Sequence, residues 1–254
     1  MIKKVALFSA LAACMGTTYA YQAEVGVGFD YYDPDYGDSA QNYSIDGKYH
    51  FNPVEAKNNP LNEAAFLGRS SNINGKYSYF DADYYNVHEF NVGVEYFVPN
   101  SNFYVSAGLG HFIEKDEYWD EKYNETTYQA EVGYLPIDGL LLAAGLAGYS
   151  GDYDDDIDPT LRAKYVTPVG NFDMNFEAKA HFGDDTYFGL GADLYLNKTL
   201  SVGVAYQDTN RFDDTEDTFT LRAKKYVTPN LSVEGSANFS EYFNVYGARL
   251  AYFF

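Results

Sequence analysis

The densest run of metal-type ligands in this 254-residue chain is Asp152, Asp154, Asp155, Asp156 and Asp158, five carboxylates within seven positions. Hard oxygen ligands of this kind suit Ca²⁺, but the run lacks the central glycine turn and the closing glutamate of a calcium-binding loop. It reads as solvated surface charge, and neither a metal site nor a cofactor is expected. The four histidines, His50, His88, His111 and His181, are scattered along the chain with no Ser/His/Asp or Asp/His grouping. No nucleophile and base are thereby paired, and the expectation is that the chain is not an enzyme.

A second pattern of charge is more informative. Glu24, Asp46, Lys48, Glu89, Glu95, Glu131, Arg162, Lys164, Asp173, Glu177, Lys179, Asp193, Arg222, Lys224, Glu234 and Arg249 sit at alternate positions of runs whose other positions are apolar. Charge of both signs on one face of many strands suits the wet interior of a closed barrel, so these residues are expected to line a lumen. The basic members gather around Arg162, Lys179 and Arg222, while Glu24, Glu89, Glu95 and Glu131 come earlier in the chain. One reading is a transverse field across a water column. The other is that the charges pair and merely fill the interior.

The elements that would carry those residues are strands of period two. In the first, Ala23, Val25, Val27, Phe29 and Tyr31 alternate with Gln22, Glu24, Gly26, Gly28 and Asp30. The second sets Tyr43, Ile45, Tyr49 and Phe51 against Asn42, Ser44, Asp46, Lys48 and His50. Similar runs continue to Asn244–Phe254, about fourteen in all, an even number as bacterial barrels require. With 27 Tyr and 19 Phe but one Trp, the aromatic load exceeds what a soluble core needs. Tyr96, Tyr128, Tyr134, Tyr165, Tyr206 and Tyr226 fall near strand ends on the apolar face, as in an interfacial girdle. No stretch after the N-terminus approaches the roughly 18–20 apolar residues of a membrane helix, so a membrane-spanning chain must close as a β-barrel. The predicted fold is all-β, a transmembrane up-and-down antiparallel barrel.

Residues 1–20 have the form of a secretory leader: Lys3 and Lys4, an apolar run from Val5 to Ala13, then Thr18-Tyr19-Ala20. Cleavage after Ala20 would leave a barrel of residues 21–254. Loss of Lys3 and Lys4 would take the net charge from −20 to −22, which argues against nucleic acid as a partner. Leu11-Ala12-Ala13-Cys14 also fits a lipobox, in which Cys14 would carry lipid.

The connections alternate in kind. Pro99–Asn102, Pro136–Gly139, Thr167–Gly170, Asn197–Thr199 and Thr228–Asn230 are short turns. Asp33–Asp38, Asp81–Asp83, Glu114–Glu121, Asp152–Asp158, Asp184-Asp185 and Asp208–Asp217 are acidic and are expected to form longer loops at the opposite, outer end. They would favour cations there within about 8 Å, the Debye length at physiological salt. The connection Asn52–Ser70 is too long for the short-turn end and carries Leu61, Glu63, Phe66, Leu67 and Arg69. It is predicted to fold into the lumen as a constriction; the alternative is a helix capping the barrel end. Thr160–Pro168 recurs as Thr220–Pro229 with one extra residue, and Lys225 is assigned to a β-bulge that keeps Tyr226 on the lipid face. Ala143, Ala144, Gly145 and Ala147 could flatten one lipid-facing arc for a homo-oligomer.

Leu250, Tyr252 and Phe254 end the chain on one face, an aromatic-ended signal of the kind the barrel assembly machinery reads. The chain resembles the general bacterial porin family of Gram-negative bacteria along essentially the whole mature sequence. The resemblance is carried by Ala20-Tyr21-Gln22-Ala23-Glu24-Val25, by Asn59-Pro60-Leu61-Asn62-Glu63-Ala64-Ala65-Phe66-Leu67 and by the repeated Arg-Ala-Lys-Tyr-Val element. It implies a barrel of this size in the outer membrane, passive diffusion of water, ions and small polar solutes, and no catalytic residue. Outer-membrane lipid and lipopolysaccharide would surround it. A closed adhesive barrel and a barrel enzyme are the rival readings.

Overall fold

A computed structural model describes residues 20–116, 121–183, 186–211 and 214–254. Residues 1–19 of the proposed leader, residues 117–120 of the Glu114–Glu121 run, Asp184-Asp185 and the centre of the Asp208–Asp217 run lie outside the described residues. Fourteen antiparallel strands form one closed barrel in which each strand pairs with its chain neighbours and β1 pairs with β14. They are β1 (Ala20–Pro34), β2 (Ala40–Glu55), β3 (Asn72–Asp81), β4 (Tyr85–Phe97), β5 (Phe103–Asp116), β6 (Glu121–Ile137) and β7 (Leu140–Gly151). The second half comprises β8 (Asp155–Val169), β9 (Phe172–His181), β10 (Thr186–Asn197), β11 (Leu200–Arg211), β12 (Asp214–Thr228), β13 (Leu231–Ser240) and β14 (Phe243–Phe253). Closure runs from Glu24 opposite Phe253 to Pro34 opposite Phe243, which leaves no free edge to expose backbone polar groups.

The pleat sorts the side chains as the alternation requires. Val27, Phe90, Val132, Leu190 and Leu250 stand exposed on the outer wall, a costly arrangement in water and the satisfied one in hydrocarbon. Charged residues such as Glu24, Arg162 and Arg249 and glycines such as Gly26, Gly28 and Gly203 take the inner parity. Turns 98–102, 138–139, 170–171, 198–199 and 229–230 lie at the end that holds both termini, and the acidic connections lie at the other.

Three expectations require correction. The acidic segments are not long loops: the connections are residues 35–39, 82–84, 152–154 and 241–242, because the strands run on through the acids. A hydrogen-bonded ladder that has left the hydrocarbon needs no apolar face, so Asp155, Asp156 and Asp158 pair along β8 with β7. Asp155 takes one face of the strand and Asp156 and Asp158 the other, and among the described residues no cluster fits a metal.

Lys225 is not a bulge. It pairs with Leu200 and Val233 at the exposed parity, and the register shift comes after Tyr226. Tyr226 thereby turns inward and is 6% exposed, whereas Tyr165, at the position of Lys225 in the first copy, faces out. The inward site accepts an aromatic because Phe253 and Ala64 wait there to cover it.

The small residues of β7 divide between faces. Ala143, Gly145 and Ala147 pair with the inward Arg162, Thr160 and Asp158, which leaves Leu140, Leu142, Ala144 and Leu146 outside. This arc is not a small-residue surface.

Candidate functional site in the barrel lumen

Every residue expected to line the interior takes the inward parity: Glu24, Asp46, Lys48, Glu89, Glu95, Glu131, Arg162, Lys164, Glu177, Lys179, Arg222, Lys224 and Arg249. What they form is not a field between segregated arcs. Acid and base interleave as ion pairs, three of which span an intervening strand.

Arg249 on β14 reaches over β1 to Asp46 on β2, with Nε–Oδ1 at 2.8 Å, and also meets Glu24 and Glu234 at 2.7 Å. Arg162 on β8 reaches over β7 to Glu131 on β6, Nε–Oε2 3.0 Å. Arg222 on β12 reaches over β11 to Asp193 on β10, Nε–Oδ1 2.7 Å. In each case the strand between presents a small inward residue: Gly26, then Ala143 and Gly145, then Gly203. A Cβ on Gly26 would stand 2.5 Å from the Arg249 guanidinium, and one on Gly203 would overlap the Asp193 carboxylate. Glycine at the polar parity makes the bridge, and the planar guanidinium supplies the paired donors.

The connection between β2 and β3 enters the barrel at the short-turn end. It forms a 3₁₀ turn, Leu61–Glu63, and one turn of helix, α1 (Ala64–Leu67). Three walls hold it. Leu61 and Ala64 pack with Val54, Tyr226, Ala251 and Phe253, on β2, β12 and β14. Phe66 packs against Phe97, Tyr104, Leu135 and Leu141, on β4 to β7. Glu63, 2% exposed, binds Lys164 of β8 at 2.9 Å and accepts the hydroxyl of Tyr195 on β10. Arg69, with φ +52°, donates to Ser101 O and Asn102 Oδ1, and Leu67 lies beside Gly139, so both touch the short turns. Ser70 meets His50 Nδ1 at 3.0 Å.

The inserted segment thus touches β2, β4 to β8, β10, β12 and β14 around the short-turn end of the lumen. Above it lies a polar cavity of about 610 Å³, lined by Glu24, Asp46, Glu95, Arg162, Lys179 and Arg249 among others. Two smaller cavities, of about 270 and 440 Å³, flank the segment, and Asn62 borders all three.

Sequence reasoning missed the inward aromatics Tyr21, Tyr104 and Tyr195 and placed Tyr226 on the wrong face. Tyr195 shares the parity of Asp193, and Tyr104 that of Ser106, so the signal was an aromatic at a polar position close to a short turn. His88 and His111 sit on the outer parity and His50 and His181 on the inner one, in keeping with their scatter in sequence.

Leu250, Tyr252 and Phe254 lie on the outer parity of the last strand, and the rings of Tyr252 and Phe254 meet edge to face at 5.0 Å. Their neighbours Ala251 and Phe253 point inward to the inserted segment.

A closed, outward-apolar barrel with a charged lumen defines an outer-membrane barrel of the porin type. Residues 1–245 match the family described as "Putative general bacterial porin", and the chain belongs to that family. Among solved structures it is similar to the Acinetobacter baumannii outer membrane protein Omp33, with 25% identity, a TM-score of 0.75, and coverage of 94% of this chain and 100% of that one. It is also similar in fold to Pseudomonas putida OprB at low pH, with 13% identity, a TM-score of 0.50 and 93% coverage of each chain. A monoaromatic hydrocarbon channel, a TodX deletion mutant, shares the fold at 8% identity and a TM-score of 0.52, over 92% of this chain and 90% of that one. A search of curated proteins found no sequence match.

Proposed function

We propose that this outer-membrane porin is a passive channel for water, ions and small polar solutes, narrowed at its periplasmic end by the segment containing Leu61, Glu63, Phe66, Leu67 and Arg69. The observation that carries the reading is the three-sided anchoring of that segment among polar cavities of the lumen. The aqueous path runs beside Asn62 and along the ion-paired walls. At the outer end, acidic connections raise the local cation concentration and give a weak cation preference. Leu250, Tyr252 and Phe254 serve recognition by the assembly machinery.

The full anchoring of the segment also favours a second reading, a barrel whose resting lumen is closed. Planar-bilayer recording of the refolded protein, with and without deletion of Leu61 to Leu67, separates the two. Small discrete steps that grow on deletion support the constricted channel. A silent parent that conducts only after deletion supports the closed resting state, and conductance unchanged by deletion removes the constriction from the proposal.

A further inference from the structure

The ion-paired walls leave three cations over. Arg162, Lys164, Arg222, Lys224 and Arg249 each hold a carboxylate within 3.0 Å. Among the described residues no carboxylate comes within ion-pair distance of Lys48, Lys76 or Lys179, although all three are inward and line the 610 Å³ cavity. The nearest acid to Lys76 in the ladder is Asp46, directly opposite in register, and its oxygens are taken by Arg249. Six cationic and four carboxylate side chains border this cavity, in a chain of net charge −20.

The placement of the three is as telling as their lack of a direct ion pair, since Lys48 stands opposite Glu24 and Lys76 opposite Asp46, whose carboxylates turn to Arg249. Lys48 and Lys76 stand on β2 and β3, and Lys179 stands on β9, half the circumference of a fourteen-strand barrel away. Beside Lys179, Thr160 is 6% exposed, borders the same cavity, and its hydroxyl oxygen is buried with no hydrogen-bond partner. Thr160 pairs with His181 and Arg162 with Lys179, so Thr160 and Lys179 stand diagonally across the β8–β9 ladder. Inward ammonium groups that no carboxylate meets within ion-pair distance are the pattern a small anion completes.

We propose that the waist of the barrel, just above the inserted segment, binds a small organic dianion of the dicarboxylate class. One carboxylate meets Lys179; the other meets Lys48 and Lys76 on the facing wall. Charge-assisted hydrogen bonds of ammonium to carboxylate are about twice as strong as neutral ones, and a neutral analogue forfeits them. The cavity volume lies within the range of small-molecule sites. The acidic outer end does not forbid entry, since its field is screened within about 8 Å at physiological salt.

The test is calorimetric titration of succinate into the full-length folded protein in detergent at low ionic strength, with succinamide as the uncharged isostere. Saturable binding of succinate but not succinamide is expected, weakened about tenfold by Lys179→Gln or Lys48→Gln. Lys225→Gln, which removes a lysine from the outer wall, should leave it unchanged, and heat-modifiable gel migration verifies that each variant is folded. Binding of succinate no tighter than chloride, or equal losses in K225Q and K179Q, would overturn the site. The measurement requires no conduction, so a silent bilayer would count against the channel reading and leave this one standing.

Discussion

Arg249 on the last strand and Asp46 on the second are joined by a guanidinium–carboxylate pair that passes over β1, where Gly26 leaves the gap. The same construction recurs over β7 and over β11. Each bridge ties strands that share no ladder, so the interior is cross-braced by charge where a soluble protein would use an apolar core. Arg249 also sits at the closure, linking both sides of the β1–β14 seam.

Filling the gap should therefore break the brace without touching a charge. Gly26→Val drives a side chain into the guanidinium, and overpacking of this kind costs about 1–3 kcal/mol. Urea unfolding in detergent should show that loss in G26V. Gly235→Ala, at the outer parity with no close neighbour to a Cβ, should be near neutral. Equal effects would refute the brace.

Glu63 predicts a change in conduction as well as stability. Glu63→Gln keeps the shape but removes the charge that Lys164 binds, and breaking a buried pair costs about 3 kcal/mol at the low end. Lys164 retains Glu177 at 2.8 Å, so the barrel wall should stand while the inserted segment loosens. Larger or more frequent openings in bilayer recordings are the expected result, with gel migration unchanged.

Arg249→Gln separates electrostatics from packing. It leaves Glu24 and Asp46 without their cation while Glu234 keeps Lys224 at 2.8 Å. Lys48 and Lys76 stand opposite these two carboxylates, but the wall has lost one fixed positive charge, which should raise the cation-to-anion permeability ratio, read as reversal potential under a salt gradient. A ratio unchanged from the parent would mean that the lumen wall does not contribute to selectivity.

The fourteen strands were legible because period two is written residue by residue, and the inward charges followed from parity alone. The bridges were not. Arg162 and Glu131 are 31 positions apart on strands that do not pair, and only the small residues Ala143 and Gly145 between them reveal the reach. The segment Asn52–Ser70 was flagged by its length and its apolar content. Its three docking walls could not be read, since they come from β2, β4 to β8, β10, β12 and β14 together. Lys225 shows the converse failure: keeping aromatics on the lipid face argued for a bulge, and the inward pocket around Phe253 outweighed it.

That pocket makes Tyr226 a core residue. Its ring lies 5.3 Å from Phe253, and Lys224 Nζ stands 5.4 Å above it. Tyr226→Ala should cost about 3 kcal/mol, as large-to-small aromatic changes in cores do, and Tyr165→Ala on the outer wall should cost much less. If Y165A were the more damaging in urea unfolding, the inward assignment would fail.

At the outer end, Asp38 and Asp83 face each other from the first two acidic connections. The Asp38 charge, and then a hydrogen bond between the carboxyls, hold Asp83 above its ordinary range. A raised carboxyl carries its charge above the raised value and loses it first as pH falls. Cation preference should accordingly begin to decline at a higher pH in the parent than in Asp38→Asn, where Asp83 returns to the usual carboxylate range. Reversal potentials measured from pH 7 to pH 3 would show the onset displaced to lower pH in D38N. Coincident curves would mean that the two aspartates do not act on the permeating ions.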